Sequence, residues 1–270
     1  MRRPRMHHLP AAGKPLLMNT FPAAGDRRGG APAPWRRWRA PAVIVAVVVV
    51  AVATALVAAA RAGGTGPGST TRAVMISAAP AGTVDLQGVP GQLTIVAAAT
   101  GRVTLTGQLH WSGHAPAVST VLDRSSNVLH LSYRCAAASP CTENYRLVVP
   151  VRTAVVLRQP AGHVVLSGLA GPLAITAASV DISATGLRSP SLAVTIVSGH
   201  LGATFDLPPR RVSVTLTSAQ ATLWLPASTG YKVSSHVTAG YVHVGIPQAS
   251  GAARTITARI SSGELELLPR

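Results

Sequence analysis

Between about Arg72 and Leu268 the chain alternates apolar and polar residues in short runs, each followed by glycine or a small polar residue. A period of two is that of a β-strand with one buried face. In Gly82-Thr83-Val84-Asp85-Leu86 the two aliphatic side chains share a side, as do Leu93 and Ile95, then Val103 and Leu105. The same cassette returns at Gly162-His163-Val164-Val165-Leu166, Gly199-His200-Leu201, Gly240-Tyr241-Val242-His243-Val244 and Gly263-Glu264-Leu265-Glu266-Leu267. Counted from the first aliphatic residue, Val84 to Val103 is 19, Val164 to Ile182 is 18, Ile182 to Leu201 is 19 and Leu223 to Val242 is 19. A unit of about twenty residues, all strand and turn, cannot bury its own apolar row and must stack on a neighbour. The expectation is therefore all-β: a single-stranded, β-helix-like β-solenoid with Val, Leu and Ile inside and Gly, Ser, Thr and Ala at the turns. The competing architecture is an antiparallel β-sandwich, or a pair of them. An aromatic content of 4% favours the narrower interior, which aliphatic ladders fill. The pattern is least regular between Trp111 and Gln159.

A second stretch sets the compartment. From Ala42 to Ala60, Thr54 is the only side chain that is not apolar. As a helix this run is roughly 28 Å long, close to the hydrocarbon thickness of a bilayer. Arg36, Arg37 and Arg39 precede it, whereas only Arg61 and an uncharged Gly-rich run, Ala62 to Thr71, follow. The positive-inside rule then places the N-terminus in the cytoplasm and the bulk of the chain outside. A cleaved signal peptide, with Ala58-Ala59-Ala60 as its site, is the rival reading, but such leaders total only about 15 to 30 residues. The expected organisation is a disordered basic cytoplasmic tail (1–40), a transmembrane helix contacting membrane lipid (41–60), a flexible linker (61–71) and an extracytoplasmic β domain (72–270). That is a single-pass protein of the bacterial cell membrane.

Charge narrows the partners. The formal net charge is +16; residues 1 to 40 hold nine Arg or Lys against Asp26 alone, and residues 62 to 270 hold fourteen against seven acids. A basic juxtamembrane tail follows from topology and from attraction to anionic headgroups, about 1 kcal/mol per cation. Trp35 and Trp38 read as interfacial anchors, so nucleic acid is not an expected partner. The seven exterior acids, Asp85, Asp123, Glu143, Asp181, Asp206, Glu264 and Glu266, are scattered, whereas glycoside cleavage usually needs two carboxylates facing one bond. His110 and His114 lie in strand-to-turn sequence without a third ligand, and no nucleophile elbow or phosphate loop occurs. No cofactor, metal or catalytic residue is expected. The alternative is a polysaccharide-processing enzyme using a β-helix groove.

Ser198-Gly199-His200-Leu201 and Ser261-Ser262-Gly263-Glu264-Leu265-Glu266-Leu267 resemble the S-G-x-[LIV]-x-[LIV] coils of the bacterial adhesin-like β-solenoid family. That family includes auto-transporter adhesin head domains and LiaG-like envelope proteins. The resemblance implies a β-helical ectodomain without catalytic residues, in some members tied to envelope-stress systems. Ala178-Ser179-Val180-Asp181-Ile182, which lacks the glycine, departs from the pattern. Two further expectations come from the residues themselves. Cys135 and Cys141 flank a short loop containing Pro140, and an oxidising exterior permits a disulfide between them. The irregular segment from Trp111 to Arg158, with Arg124, Arg134, Arg146, Arg152 and Arg158 against Asp123 and Glu143, is the expected contact surface for an anionic cell-wall polymer or envelope protein.

Overall fold

A computed structural model of the protein describes residues 69–88, 90–136 and 139–270. The basic tail and the apolar run Ala42–Ala60 lie outside these residues; no helix within them is long and apolar enough to cross a membrane. The described chain is all-β, and its strands join in one large sheet. They are β1 (Ser69–Ala78), β2 (Thr83–Gln87), β3 (Gly91–Ala98), β4 (Val103–Ser112), β5 (Ala117–Asp123), β6 (Val128–Arg134) and β7 (Cys141–Pro150). The longer ones follow: β8 (Ala154–Ser167), β9 (Leu173–Leu187), β10 (Ser191–Phe205), β11 (Arg211–Leu225), β12 (Lys232–Val244) and β13 (Thr255–Pro269). β1 starts earlier than the sequence pattern suggests: Ser69 to Thr71, read above as linker, pair with Ser112 to His110.

The long strands are not simple alternating strands. In β11, Val212, Val214 and Leu216 are buried, Thr217 and Ser218 are both exposed, and burial resumes at Ala219, Ala221, Leu223 and Leu225. The inward row thus changes from even to odd positions. Strict alternation would send the second half to solvent, so both halves reach one core only because the backbone turns a corner. β10 does the same, with Leu192, Val194 and Ile196 before the corner and Leu201, Ala203 and Phe205 after it. Each long strand therefore has a first arm, a corner and a second arm, and the arms close on a shared aliphatic core.

Neighbouring strands lie parallel from β6 and β7 through β8, β9, β10, β11 and β13 to β12. β2 pairs with the first arm of β8 and β3 with its second arm, so these two short strands jointly match one long strand. At the corner the register runs Glu143, Gly91, Gly162, Val180, Gly199, Ala219, Gly263, Gly240. Here adjacent backbones approach too closely for a side chain at some positions. A Cβ on Gly162 would sit 1.9 Å from the Gly91 carbonyl oxygen, and Gly162 has φ +120°. Val180 and Ala219 occupy the same column with inward, buried side chains.

Two of the four sequence intervals are true neighbour distances: Val164 pairs with Ile182, and Ile182 with Leu201. The other two are not. Val84 lies against Leu129 and Val155, while Val103 pairs with Ala78. Leu223 lies between Ala203 and Leu267, because β13 inserts between β11 and β12. Equal spacing sets which face a residue presents, not which strand lies beside it.

The irregular segment also needs correction. Most of it is sheet: β6 runs parallel to β2 and β7 to β3, burying Leu129, Leu131, Tyr133, Tyr145, Leu147 and Val149. What departs is the antiparallel hairpin strand β5 and an excursion at the corner between β6 and β7. That excursion is closed by a disulfide between Cys135 and Cys141, with Cα atoms 5.7 Å apart. At the same end β4 and β1 add antiparallel to β7.

Candidate binding surface

One residue beyond the corner, β7, β3 and β8 to β13 each point a side chain outward. Parallel register stacks these residues into a column that crosses the strands: Asn144, Gln92, His163, Asp181, His200, Gln220, Glu264, Tyr241. Its members touch across strands. The His200 ring nitrogen Nδ1 lies 3.1 Å from an Asp181 carboxylate oxygen, and the Tyr241 hydroxyl donates to Glu264 at 3.1 Å. That hydrogen bond to a carboxylate raises the Tyr241 phenol above its ordinary value. Two residues further along lies a second outward column, where the Thr222 hydroxyl donates to Glu266 at 3.3 Å and His243 pairs with Glu266 in register.

Beside the first column runs a shallow open groove of about 450 Å³. Its floor is the small-residue corner row Gly199, Ala219, Gly263 and Gly240; Ser218 and Ser262 stand on one side and His200, Gln220 and Glu264 on the other. At the far end of the same face, a groove of about 300 Å³ is lined by Gln92, Thr94, Asn144 and Arg146 among others.

The expected arginine surface is spread out rather than gathered. Arg158 is paired with Asp85, which also lies 3.2 Å from His130. Arg146 faces outward from β7 on the second arm, beside Thr94 and Thr106 in register. Arg134 ends β6 and Arg124 sits in the turn before it, so about 20 Å of strand separates them at roughly 3.3 Å per residue. Arg152 lies in the turn between β7 and β8. All five are exposed.

The acids are similarly placed. Glu264 and Glu266 share the outer face of β13, while Asp85 and Asp181 lie on different arms. Asp206 is held by Arg270 and lies 3.8 Å from Arg188. Asp123 accepts hydrogen bonds from Ser126 and Ser125, which hold its carboxyl well below the usual range. Glu143 is the exception, fully buried at the corner with Gln159 donating to it at 3.5 Å. Nearby, the Tyr133 and Tyr145 rings pack in a tilted arrangement with centroids 4.7 Å apart. Burial, reinforced by the Glu143 carboxylate, holds both phenols above their ordinary value. His110 bonds to the Thr71 hydroxyl at 2.8 Å. Among the described residues no cluster of three or more His, Cys, Asp or Glu side chains is arranged to hold a metal ion.

The x of each Gly-x-aliphatic cassette carries the polar column, and the spacing of the cassettes is the sequence signal that points to it.

No protein-family model matches the chain, and no curated protein does. Solved structures do resemble it. A proposed cell adhesion protein from Clostridium sporogenes aligns at 13% identity with a TM-score of 0.48, covering 74% of this chain and 100% of the other. A proposed adhesin from Bacteroides fragilis aligns at 10% identity with a TM-score of 0.47, covering 75% and 99%. A proposed adhesin from Parabacteroides merdae gives 10% and 0.36, covering 74% and 96%. Likeness at this level says nothing of what the chain binds.

Proposed function

We propose that this is a single-pass bacterial envelope protein whose exterior β-solenoid binds or scaffolds rather than catalyses. The anchor rests on Ala42 to Ala60 and its flanking arginines. The solenoid reading rests on long strands stacked in parallel register around one aliphatic core, with the antiparallel additions confined to one end. The observation that carries the binding role is the use of the surface carboxylates. Asp85, Asp181, Asp206, Glu264 and Glu266 each contact a side chain of another strand or turn, and Asp123 accepts from Ser125 and Ser126 within its own turn. A glycoside hydrolase usually needs a carboxylate pair aimed at one scissile bond, with one member kept protonated by its surroundings.

The partner on the basic side is an anionic cell-wall polymer or an acidic envelope protein. Among the described residues, Arg124, Arg134, Arg146 and Arg152 form no ion pair and are exposed for such a contact. The same exterior position suits a sensor of envelope stress. The test replaces Arg124, Arg134 and Arg146 with Ser and measures retention of the protein on isolated envelopes at rising salt. Retention should fall in the variant and with salt, because screening shortens to about 8 Å at physiological ionic strength and further above it. Unchanged, salt-insensitive retention removes the arginine contact, and turnover of a glycan by the purified protein overturns the non-catalytic reading.

A further inference from the structure

We infer that the outer corner of the sheet is a second contact surface, and that its occupant is an uncharged, linear, hydroxyl-rich glycan lying across strands β10, β11, β13 and β12. The inference rests on the domain facing the cell exterior, and it is independent of the arginine contact.

Four observations lead there. The first is the groove, whose floor lacks long side chains, so an extended chain can approach the backbone between Ser218 and Ser262 on one wall and Gln220 and Glu264 on the other. The second is its repeat. Polar groups recur once per strand, about every 4.8 Å, which is close to the length one pyranose ring adds to an extended polysaccharide. The third is the hydrogen-bonding inventory. Glu264 accepts from hydroxyls, while the Gln220 amide both donates and accepts, the combination a vicinal diol needs. Tyr241, 47% exposed at the end of the row, offers a ring face to the C–H side of a sugar.

Charge is the fourth observation, and it selects among polymers. The domain as a whole is basic, yet Asp181, Glu264 and Glu266 fall on two adjacent columns of this face. The groove's own lining contains no Lys or Arg. A polyanion drawn to the arginines is repelled here, whereas a neutral glycan is not.

The experiment uses the full-length protein in a sugar-free zwitterionic detergent. A panel of linear neutral glucan and N-acetylhexosamine oligomers of increasing length is titrated by saturation-transfer NMR and calorimetry, alongside an oligolysine peptide. At least one neutral series should bind with little dependence on salt, and affinity should rise with length until the four strands are spanned. Tyr241→Ala and Gln220→Ala should each weaken it about tenfold, the loss of a ring contact or a bidentate hydrogen bond. Both side chains are exposed, so circular dichroism should show both variants folded. The Arg124, Arg134 and Arg146 to Ser variant should bind the oligomers normally, which separates this surface from the arginine contact. Absence of binding by every neutral series, binding unchanged in both substitutions, or binding of oligolysine alone overturns the proposal.

Discussion

Replacing Gly162 with Ala tests the stacked corner directly. In the folded protein Gly162 has φ +120°, a conformation that strains any L side chain by about 1–3 kcal/mol. The new Cβ would also lie 1.9 Å from the Gly91 carbonyl oxygen, 2.8 Å from the Gly91 carbonyl carbon and 2.8 Å from its nitrogen. These are backbone atoms of the adjacent strand, so they cannot swing aside as a side chain would. Relief requires β3 and β8 to separate locally and loosen one or two ladder hydrogen bonds, each worth about 1 kcal/mol. The two terms together predict a destabilisation of about 2–5 kcal/mol, and a melting temperature lower by about 10 °C for a domain of this size. Gly202→Ala is the matched control. It lies on the second arm of β10, outside the left-handed region, and its Cβ would meet Trp224 Cζ3 at an ordinary 3.6 Å. There the loss of unfolded-chain entropy is the main effect, and stability should change by no more than about 0.5 kcal/mol, or rise slightly. Thermal and urea unfolding of both variants, followed by circular dichroism, makes the comparison. If Gly162→Ala melts with Gly202→Ala, the close approach of strands at the corner is wrong.

Other predictions follow from the strand order, the disulfide and one turn. Truncation after Arg254 removes β13, the only strand β12 pairs with among the described residues, so β12 should lose its hydrogen-exchange protection as well while β8 to β10 keep theirs; retained protection in β12 would contradict the order β11-β13-β12. Reducing the Cys135–Cys141 bridge, which closes a short loop, should cost about 2 kcal/mol by loop entropy. Mass spectrometry of protein recovered without reductant should find both cysteines oxidised, and a melting temperature insensitive to reductant would refute the contribution. The Asp123 carboxyl is favoured in its ionised form by Ser126 and Ser125, so its support of the β5–β6 turn is present above the ordinary aspartate pKa. That support is lost only as pH falls through the lower folded value. Carboxyl NMR titration should place the Asp123 midpoint below the ordinary range; a midpoint within that range would show that the serine hydrogen bonds are not maintained.

Residue alternation made the all-β class and the inward-facing residues legible from sequence alone, because a side chain's face on a strand is a local property with a period of two. Val164, Ile182 and Leu201 were placed on one inward row by that rule, and they are buried neighbours in the sheet. The pairing of Cys135 with Cys141 was legible because they are the chain's two cysteines and flank a short loop containing Pro140. Strand neighbours were not, because they are chosen by contacts distant in sequence. β13 enters between β11 and β12, and β2 and β3 together replace one long strand, although nothing in their local patterns differs. The tertiary structure alone also turned even-phase burial into odd-phase burial at each corner, set glycines against neighbouring carbonyls, and buried Glu143 beside Gln159. It likewise gathered His163, Asp181, His200, Gln220, Glu264 and Tyr241, far apart along the chain, into one exposed row. Parallel register repeats a single position on every strand, so what the sequence scatters at intervals of about twenty residues becomes contiguous only when the strands stack.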